Sequence, residues 1–354
     1  MTEKKQQEAK IQMRKDEHLR ICLEEDVRSE TTTGFERYRL VPAAAREADY
    51  LTFPLRTGFL GKTIEAPLLI SSMTGGTERG AEINRNLCLA AERRQIPLAL
   101  GSLRVYTETN DWRGLADIRL SAPTAPILAN FGAVQLNYGL SIDAIRTAAE
   151  LIRADGLILH FNPLQELIQP GGDTNFSGLM AKVGELRKGV SVPLIAKEVG
   201  FGFDVRTAGR LIDAGFDWID VAGAGGTSWA KVEIAARGER LDDSVYAPFR
   251  DFGVPTAEAV RRIHAAFPKM PLIASGGIRT GVDMRKAELL GARIFGIAMP
   301  FLRPALEGPE AVCRLIERLV TQYKTARFVS SGIEPAGDSN EGRADHERGV
   351  YFED

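Results

Sequence analysis

Eight short apolar runs, bounded by Gly, Pro or polar turns and each separated from the next by a longer connection, constrain this chain more than anything else in it. They are 66–73 (APLLISSM), 97–101 (PLALG), 125–131 (APILANF), 156–161 (GLILHF), 192–199 (VPLIAKEV), 217–222 (DWIDVA), 271–276 (PLIASG) and 293–299 (RIFGIAM). Runs of this length between Gly and Pro boundaries read as strands. Several carry proline at their first or second position, where the missing N–H costs no ladder bond. They are apolar throughout rather than alternating, which is the pattern of strands buried on both faces of a parallel sheet.

The connections have helical spacing. In 141–154 (SIDAIRTAAELIRA) the residues Ile142, Ile145, Ala149 and Ile152 form one stripe, and in 309–320 (PEAVCRLIERLV) Val312, Leu315, Ile316 and Leu319 repeat at 3.6. Asp204 and Gly215 supply a cap at either end of a further segment. Eight alternating strand–helix units predict an α/β fold, a closed (β/α)8 TIM barrel over 66–329. An open doubly wound sheet is the competing topology. The charged residues 1–65 form an N-terminal extension expected to pack on the barrel as a lid. A long loop, 223–254, follows strand 6, and the polar, glycine-rich tail 330–354 is expected to be disordered.

Composition narrows the partners. With 44% hydrophobic and 26% charged residues the chain can bury an ordinary core, and its net charge of −2 advertises no nucleic acid. Cys22, Cys88 and Cys313 have no ligand spacing and read as free thiols in a reducing, cytoplasmic compartment. No apolar run is long enough for a membrane span, and residues 1–20 lack the apolar core of a secretory signal. The stretch 58–63 (GFLGKT) ends like a phosphate-binding P-loop, but Arg56 occupies the position where that pattern needs its first glycine.

A barrel enzyme keeps its chemistry at the C-terminal ends of its strands. Those ends are polar here. The first run closes on Ser71 and Ser72, the second leads to Ser102 and Arg104, and the third carries Asn130. The fourth opens into His160, Asn162, Gln165 and Glu166, with Ile158, His160 and Asn162 on one face. Lys197 interrupts an apolar strand, which calls for an anionic or electron-rich partner; its neighbour Glu198 faces the other way and reads as structural. Gly276, Gly277, Ala298 and Met299 end the last two strands, where backbone N–H groups form a phosphate cup in such barrels. The glycines of SMTGG and GAGGT allow backbone to approach a flat ligand. Lys197 beneath the ring then suits flavin mononucleotide (FMN). A dinucleotide fits less well, since no GxGxxG follows the first strand.

With these motifs assembled, the chain resembles the type 2, FMN-dependent isopentenyl diphosphate isomerases from about residue 13 to 326. The matching segments are RKDEH, TTTGFERYRLV, ISSMTGGTERGAEINRNL, GSLR, ILANFGAVQLNYG, HFNPLQE, QPGGDTNFSG, KEVGFG, DVAGAGGTSWAKVE and ASGGIRTG. The resemblance implies interconversion of isopentenyl and dimethylallyl diphosphate with reduced FMN and Mg²⁺. NADPH would serve only to reduce the flavin. It implies FMN contacts from Ser72, Met73, Thr74, Ser102, Asn130, Lys197, Thr227, Gly276, Gly277, Ala298 and Met299. Substrate contacts would come from Arg14, Lys15, His18, Arg104, His160, Asn162 and Gln165, with Glu166 on the metal. Trp229 and Glu233 match positions bordering the active site, and the family implies a homo-oligomer, tetramer or octamer.

No side chain is acidic enough to protonate an unactivated alkene, so the proton transfers are assigned to reduced flavin poised by Lys197, with His160 and Gln165 positioning the substrate. Leu103 stands where the family usually has an amide, which puts rate or substrate preference in question. Two rivals remain. An FMN-dependent α-hydroxy-acid oxidase needs a histidine after the sixth strand, and none of His18, His160, His264 and His346 falls there. A flavin- or prenyl-diphosphate-binding protein without turnover would keep the pocket and lose the reaction.

Overall fold

The computed structural model describes residues 3–75, 77–109 and 112–336. Three strands precede the barrel, β1 (Tyr38–Pro42), β2 (Thr57–Phe59) and β3 (Lys62–Ile64). The barrel strands are β4 (Leu68–Ile70), β5 (Leu98–Ala99), β6 (Ile127–Gly132), β7 (Gly156–Phe161), β8 (Leu194–Glu198), β9 (Trp218–Asp220), β10 (Leu272–Ser275) and β11 (Ala292–Ile297). All are parallel and close in the order β10-β11-β4-β5-β6-β7-β8-β9. The eight sequence runs are therefore the eight staves of a closed barrel, and the open-sheet alternative falls.

A two-residue period organises the interior. Leu69, Ala99, Leu128, Ile158, Ile195, Ile273 and Ile294 form one buried apolar cluster, against which Trp218 packs. Two positions further along each strand stand Ser71, Gly101, Asn130, His160, Lys197, Ser275, Gly296 and, after Trp218, Asp220. Successive residues of a strand alternate faces, so these point to the same side as the apolar layer, one storey higher. The barrel thus has an apolar floor and a polar storey above it.

The lower end is stoppered by the β2–β3 hairpin. Its turn residues Leu60 and Gly61 have φ of 50° and 77°, the left-handed pair that a tight hairpin of this twist requires. Phe59 and Ile64 join the floor cluster, and Phe59 meets Trp218 edge to face at 5.0 Å.

At the upper end lies the N-terminal helix Glu3–Glu24, which buries Leu19 and Ile21. Ile21 packs with Val27 and with Val232 from the helix Trp229–Ala236, part of the long connection after β9. The expectation of a disordered tail from 330 is corrected at its start. Ser330–Pro335 forms β12, antiparallel to β1, with Leu40 opposite Ile333. The helix Pro309–Val329 delivers the chain to this edge, and Ser330 Oγ donates to the Ala326 carbonyl at 2.6 Å. The rest of the tail, 337–354, lies outside the described residues. No helix among the described residues is long and apolar enough to cross a membrane.

Candidate active site

Above the polar storey opens a cavity of about 270 Å³, near the lower end of ordinary small-molecule sites. Every residue that the resemblance assigned to FMN, substrate or metal lines it, from Arg14, Lys15 and His18 on the N-terminal helix to Ala298 and Met299 beyond β11, as does Trp229, with Glu233 buried behind the lining. Chain segments nearly 300 residues apart meet because each barrel strand delivers its end to the same rim.

The β6–β9 wall carries three adjacent polar side chains. Cα partners across the sheet run Gly132–His160, His160–Lys197 and Lys197–Asp220. His160 Nδ1 pairs with Asn130 Oδ1 at 2.8 Å, and Asn130 Nδ2 donates to the Leu100 carbonyl at 3.1 Å. Burial first, then the positive charges of Lys197, Lys15 and Arg104, pushes the His160 pKa down to about 3. The imidazole is therefore neutral in ordinary buffers. Lys197 is 8% exposed and donates to the Glu198 carbonyl at 2.7 Å.

Glu198 has the structural role its parity indicates. Its Oε2 accepts the N–H groups of Val199, Gly200, Phe201 and Gly202 at 2.5–3.0 Å and so ties down the loop after β8. Burial pushes its pKa up to about 7, opposed by those N–H donors and Lys197.

The short helix Pro163–Ile168 places the other half of the constellation. Asn162 precedes it, and Asn162 Nδ2 donates to Gln165 Oε1 at 3.2 Å and to Glu166 Oε1 at 2.9 Å. Glu166 Oε2 accepts the Asp173 N–H at 2.8 Å across the Pro-Gly-Gly turn. Burial raises the Glu166 pKa against the pull of those two donors. Gln165 Nε2 donates to Glu233 Oε1 at 2.8 Å, while Glu233 Oε2 faces His18 Nε2 at 3.2 Å. His18 also meets Trp229 edge to face at 5.5 Å.

Two cations on the rim are already engaged. Lys15 Nζ donates to the carbonyls of Gly75 and Ser102, at 2.6 and 3.2 Å, and so fastens the N-terminal helix to two strand-end loops. Burial and the neighbouring Arg14 bring its pKa down to about 8, Glu108 opposing and Arg104 adding. Arg104 is held by Glu108 and, at 2.6 Å, by Asp173 Oδ2.

The glycines lining the cavity also set how its loops pack. A Cβ on Gly276, whose φ is +99°, would lie 2.0 Å from the Gly223 carbonyl oxygen, and one on Gly226 would lie 2.6 Å from Gly277 N. These residues let the β9 and β10 loops nest against each other, and the cup follows from that nesting. Gly76 of SMTGG lies outside the described residues. The Leu103 side chain, where the family usually has an amide, is 3% exposed and packs in the main core. Sequence reading passed over Asp173, Glu108 and Asp220. Asp220 was open to the test applied to Lys197, a charge inside an apolar run, whereas Glu108 and Asp173 show their importance only through Arg104.

Ser72 Oγ and Asn162 Oδ1 are buried without a hydrogen-bond partner among the described residues. Orphaned polar atoms on a cavity wall indicate a ligand that completes them. Ala298 and Met299 stand at the start of the helix Met299–Glu307, where backbone N–H groups lack intrahelical acceptors and suit an anion. This donor set fits a phosphorylated flat ring.

Comparison with known proteins agrees with the geometry. A family model described as FMN-dependent dehydrogenase matches residues 165–334. Among solved structures, mandelate oxidase with (S)-2-phenylpropionate superposes with a TM-score of 0.60 at 20% identity, over 84% of each chain, a likeness of fold alone. An isopentenyl-diphosphate delta-isomerase of Oceanobacillus iheyensis is 43% identical over 319 residues, 90% of this chain and 91% of that one. The enzyme of that name from Nostoc sp. is 48% identical over 325 residues, 90% of this chain and 92% of its own. A barrel of the FMN-dependent kind, joined to nearly half the sequence of these relatives along nine-tenths of their length, makes this chain a member of the type 2, FMN-dependent isopentenyl diphosphate isomerase family.

Proposed function

We propose that the protein interconverts isopentenyl and dimethylallyl diphosphate in isoprenoid synthesis. The observation that carries this reading is the stacking of the cavity: Asn130, His160 and Lys197 at its base, a glycine and N–H cup to one side, and Arg14, Lys15, Arg104 and Glu166 at its rim. A flat phosphorylated ring suits the lower part and a diphosphate the upper.

FMN would be held by Ser72, Met73, Thr74, Ser102, Asn130, Lys197, Thr227 and the cup of Gly276, Gly277, Ala298 and Met299. When bound and reduced by NADPH, it supplies a group able to give and take a proton beside an alkene. The remaining chemistry belongs to side chains. Neutral His160 and the Asn162 amide orient the substrate without adding charge near the reacting carbons. Gln165 and Glu233 form a buried amide–carboxylate pair with His18, placed to hold a proton at a Glu233 oxygen. The N-terminal helix covers the mouth and excludes water.

Mg²⁺ would rest on Glu166. No cluster of three or more His, Cys, Asp or Glu side chains that could hold a metal occurs among the described residues. A single carboxylate nonetheless suits Mg²⁺, which takes much of its shell from water and substrate phosphate. We also propose a cytoplasmic homo-oligomer, tetramer or octamer. Exposed Val245, Phe249 and Phe252 on the connection after β9 support association.

The α-hydroxy-acid oxidase alternative lacks support at its essential point, because no histidine stands in the loop after β9. Anaerobic incubation with reduced FMN, Mg²⁺ and isopentenyl diphosphate, followed by product identification, tests the proposal. Formation of dimethylallyl diphosphate is expected; flavin binding without isomer would favour a protein that binds but does not turn over.

A further inference from the structure

We propose that Asp220 is the counter-charge of Lys197, a positioning residue beneath the cavity that fixes the charge the lysine presents to the bound ring. Asp220 ends β9, is 0% exposed, and is the Cα partner of Lys197 across the sheet. Its Oδ1 accepts from Ser275 Oγ at 2.5 Å and from the Ala222 N–H at 3.3 Å. Its Oδ2 is buried and has no hydrogen-bond partner among the described residues. Lys197 lines the cavity, as do Ser275 and Ala222, so Asp220 acts from behind them.

An ionised carboxylate wholly inside a protein is strongly unfavourable unless a cation compensates it. Lys197 is the cation on the adjoining strand, and its field opposes the tendency of burial to keep Asp220 protonated. The compensation is mutual. Lys197 is also buried, and its ammonium donates to a neutral carbonyl. Ser275 completes the arrangement by orienting one Asp220 oxygen, which leaves Oδ2 as the free point of negative charge. An ionised Asp220 would thus offset the Lys197 charge beneath the cavity, while Glu198, the other buried carboxylate in the Lys197 field, is committed to the loop after β8.

This inference rests on the flavin reading above and adds a consequence. Removing the Asp220 charge leaves Lys197 unbalanced beneath the ring, and a cation there favours the anionic reduced form over the neutral oxidised one. Asp220→Asn is expected to raise the midpoint potential of bound FMN by about 30 mV, a tenfold gain in relative affinity for the reduced form in a two-electron couple. Ser275→Ala, which removes one donor to the carboxylate, is expected to shift it in the same direction by less. An unchanged or lowered potential in both variants overturns the proposal. So does loss of flavin from both while they remain folded, since that marks a scaffold and not a counter-charge.

A second measurement needs no flavin. In thermal unfolding of the apoprotein, Lys197→Met and Asp220→Asn are each expected to lower Tm, and the double variant to lower it by less than the sum. Additive losses overturn the pairing. Should Asp220→Asn fail to fold, rescue by adding Lys197→Met is the expected result, and failure to rescue counts against it. If the wild-type protein binds FMN but forms no isomer, the isomerase reading fails and the pairing stands.

Discussion

Gln165 donates through its Nε2 to Glu233 Oε1 at 2.8 Å, joining the helix that follows β7 to the helix in the long connection after β9. Glu233 is fully buried, and its second oxygen is left to His18. One carboxylate therefore ties two barrel connections and the N-terminal helix together at the cavity mouth.

Glu233→Gln retains the size of that side chain and removes its charge and its ability to hold a proton. Isomer formation is expected to fall on the order of 10²- to 10⁴-fold, the usual range for a lost proton-handling group. FMN affinity is expected to change little, because Glu233 stands away from the cup. Steady-state rates with flavin titration check both, and a rate within threefold of wild type would refute the role.

Lys15 gives a pH signature. Its pKa is brought down to about 8, so the ammonium is present below that pH and lost above it. Attraction for an anionic diphosphate should follow the charge. KM for isopentenyl diphosphate is expected to be flat below about pH 8 and to climb above it. Lys15→Met should show a raised KM below about pH 8 and no climb above it, so that the two profiles converge; parallel profiles would rule Lys15 out.

His160 should mark acid stability. The folded protein keeps the ring neutral down to about pH 3, whereas the unfolded chain binds a proton near 6.5. Where the unfolded state binds more protons, stability rises with pH. The contribution is whole above about 6.5 and drains away as pH falls towards 3. His160→Asn is expected to flatten Tm against pH in that window, and an equally steep decline would show that other groups cause it.

Truncation after Val329 removes β12 from β1 and takes away the Ser330 oxygens that Arg285 contacts at 3.0 and 3.3 Å. The barrel is complete without this edge. A fall in Tm of a few degrees is expected, consistent with roughly 1–2 kcal/mol in a chain of this size. FMN binding should remain. An unchanged Tm would show that the strand pair adds nothing to stability.

Much of the site could be read before the fold was known. Strand parity in GLILHF and VPLIAKEV already sent His160 and Lys197 to one side, and β7 occupies the residues its apolar run marks out. That information is local: period-2 side-chain direction and strand length are set by neighbours a few residues apart. The N-terminal helix was much less legible, since its charged sequence carries no clear apolar stripe, yet it buries Leu19 and Ile21 and sets Lys15 against two distant carbonyls.

The sequence by itself determined that eight buried strands would alternate with helices and that their ends would be polar, because both follow from short-range periodicity. Only the tertiary structure decided that Gln165 meets Glu233, that Asp173 holds Arg104, that glycine loops nest on one another and that 330–335 pairs with β1. Each of these contacts joins residues many positions apart. Their existence depends on how the closed barrel and its connections bring backbone together in space, which no local pattern of side chains encodes.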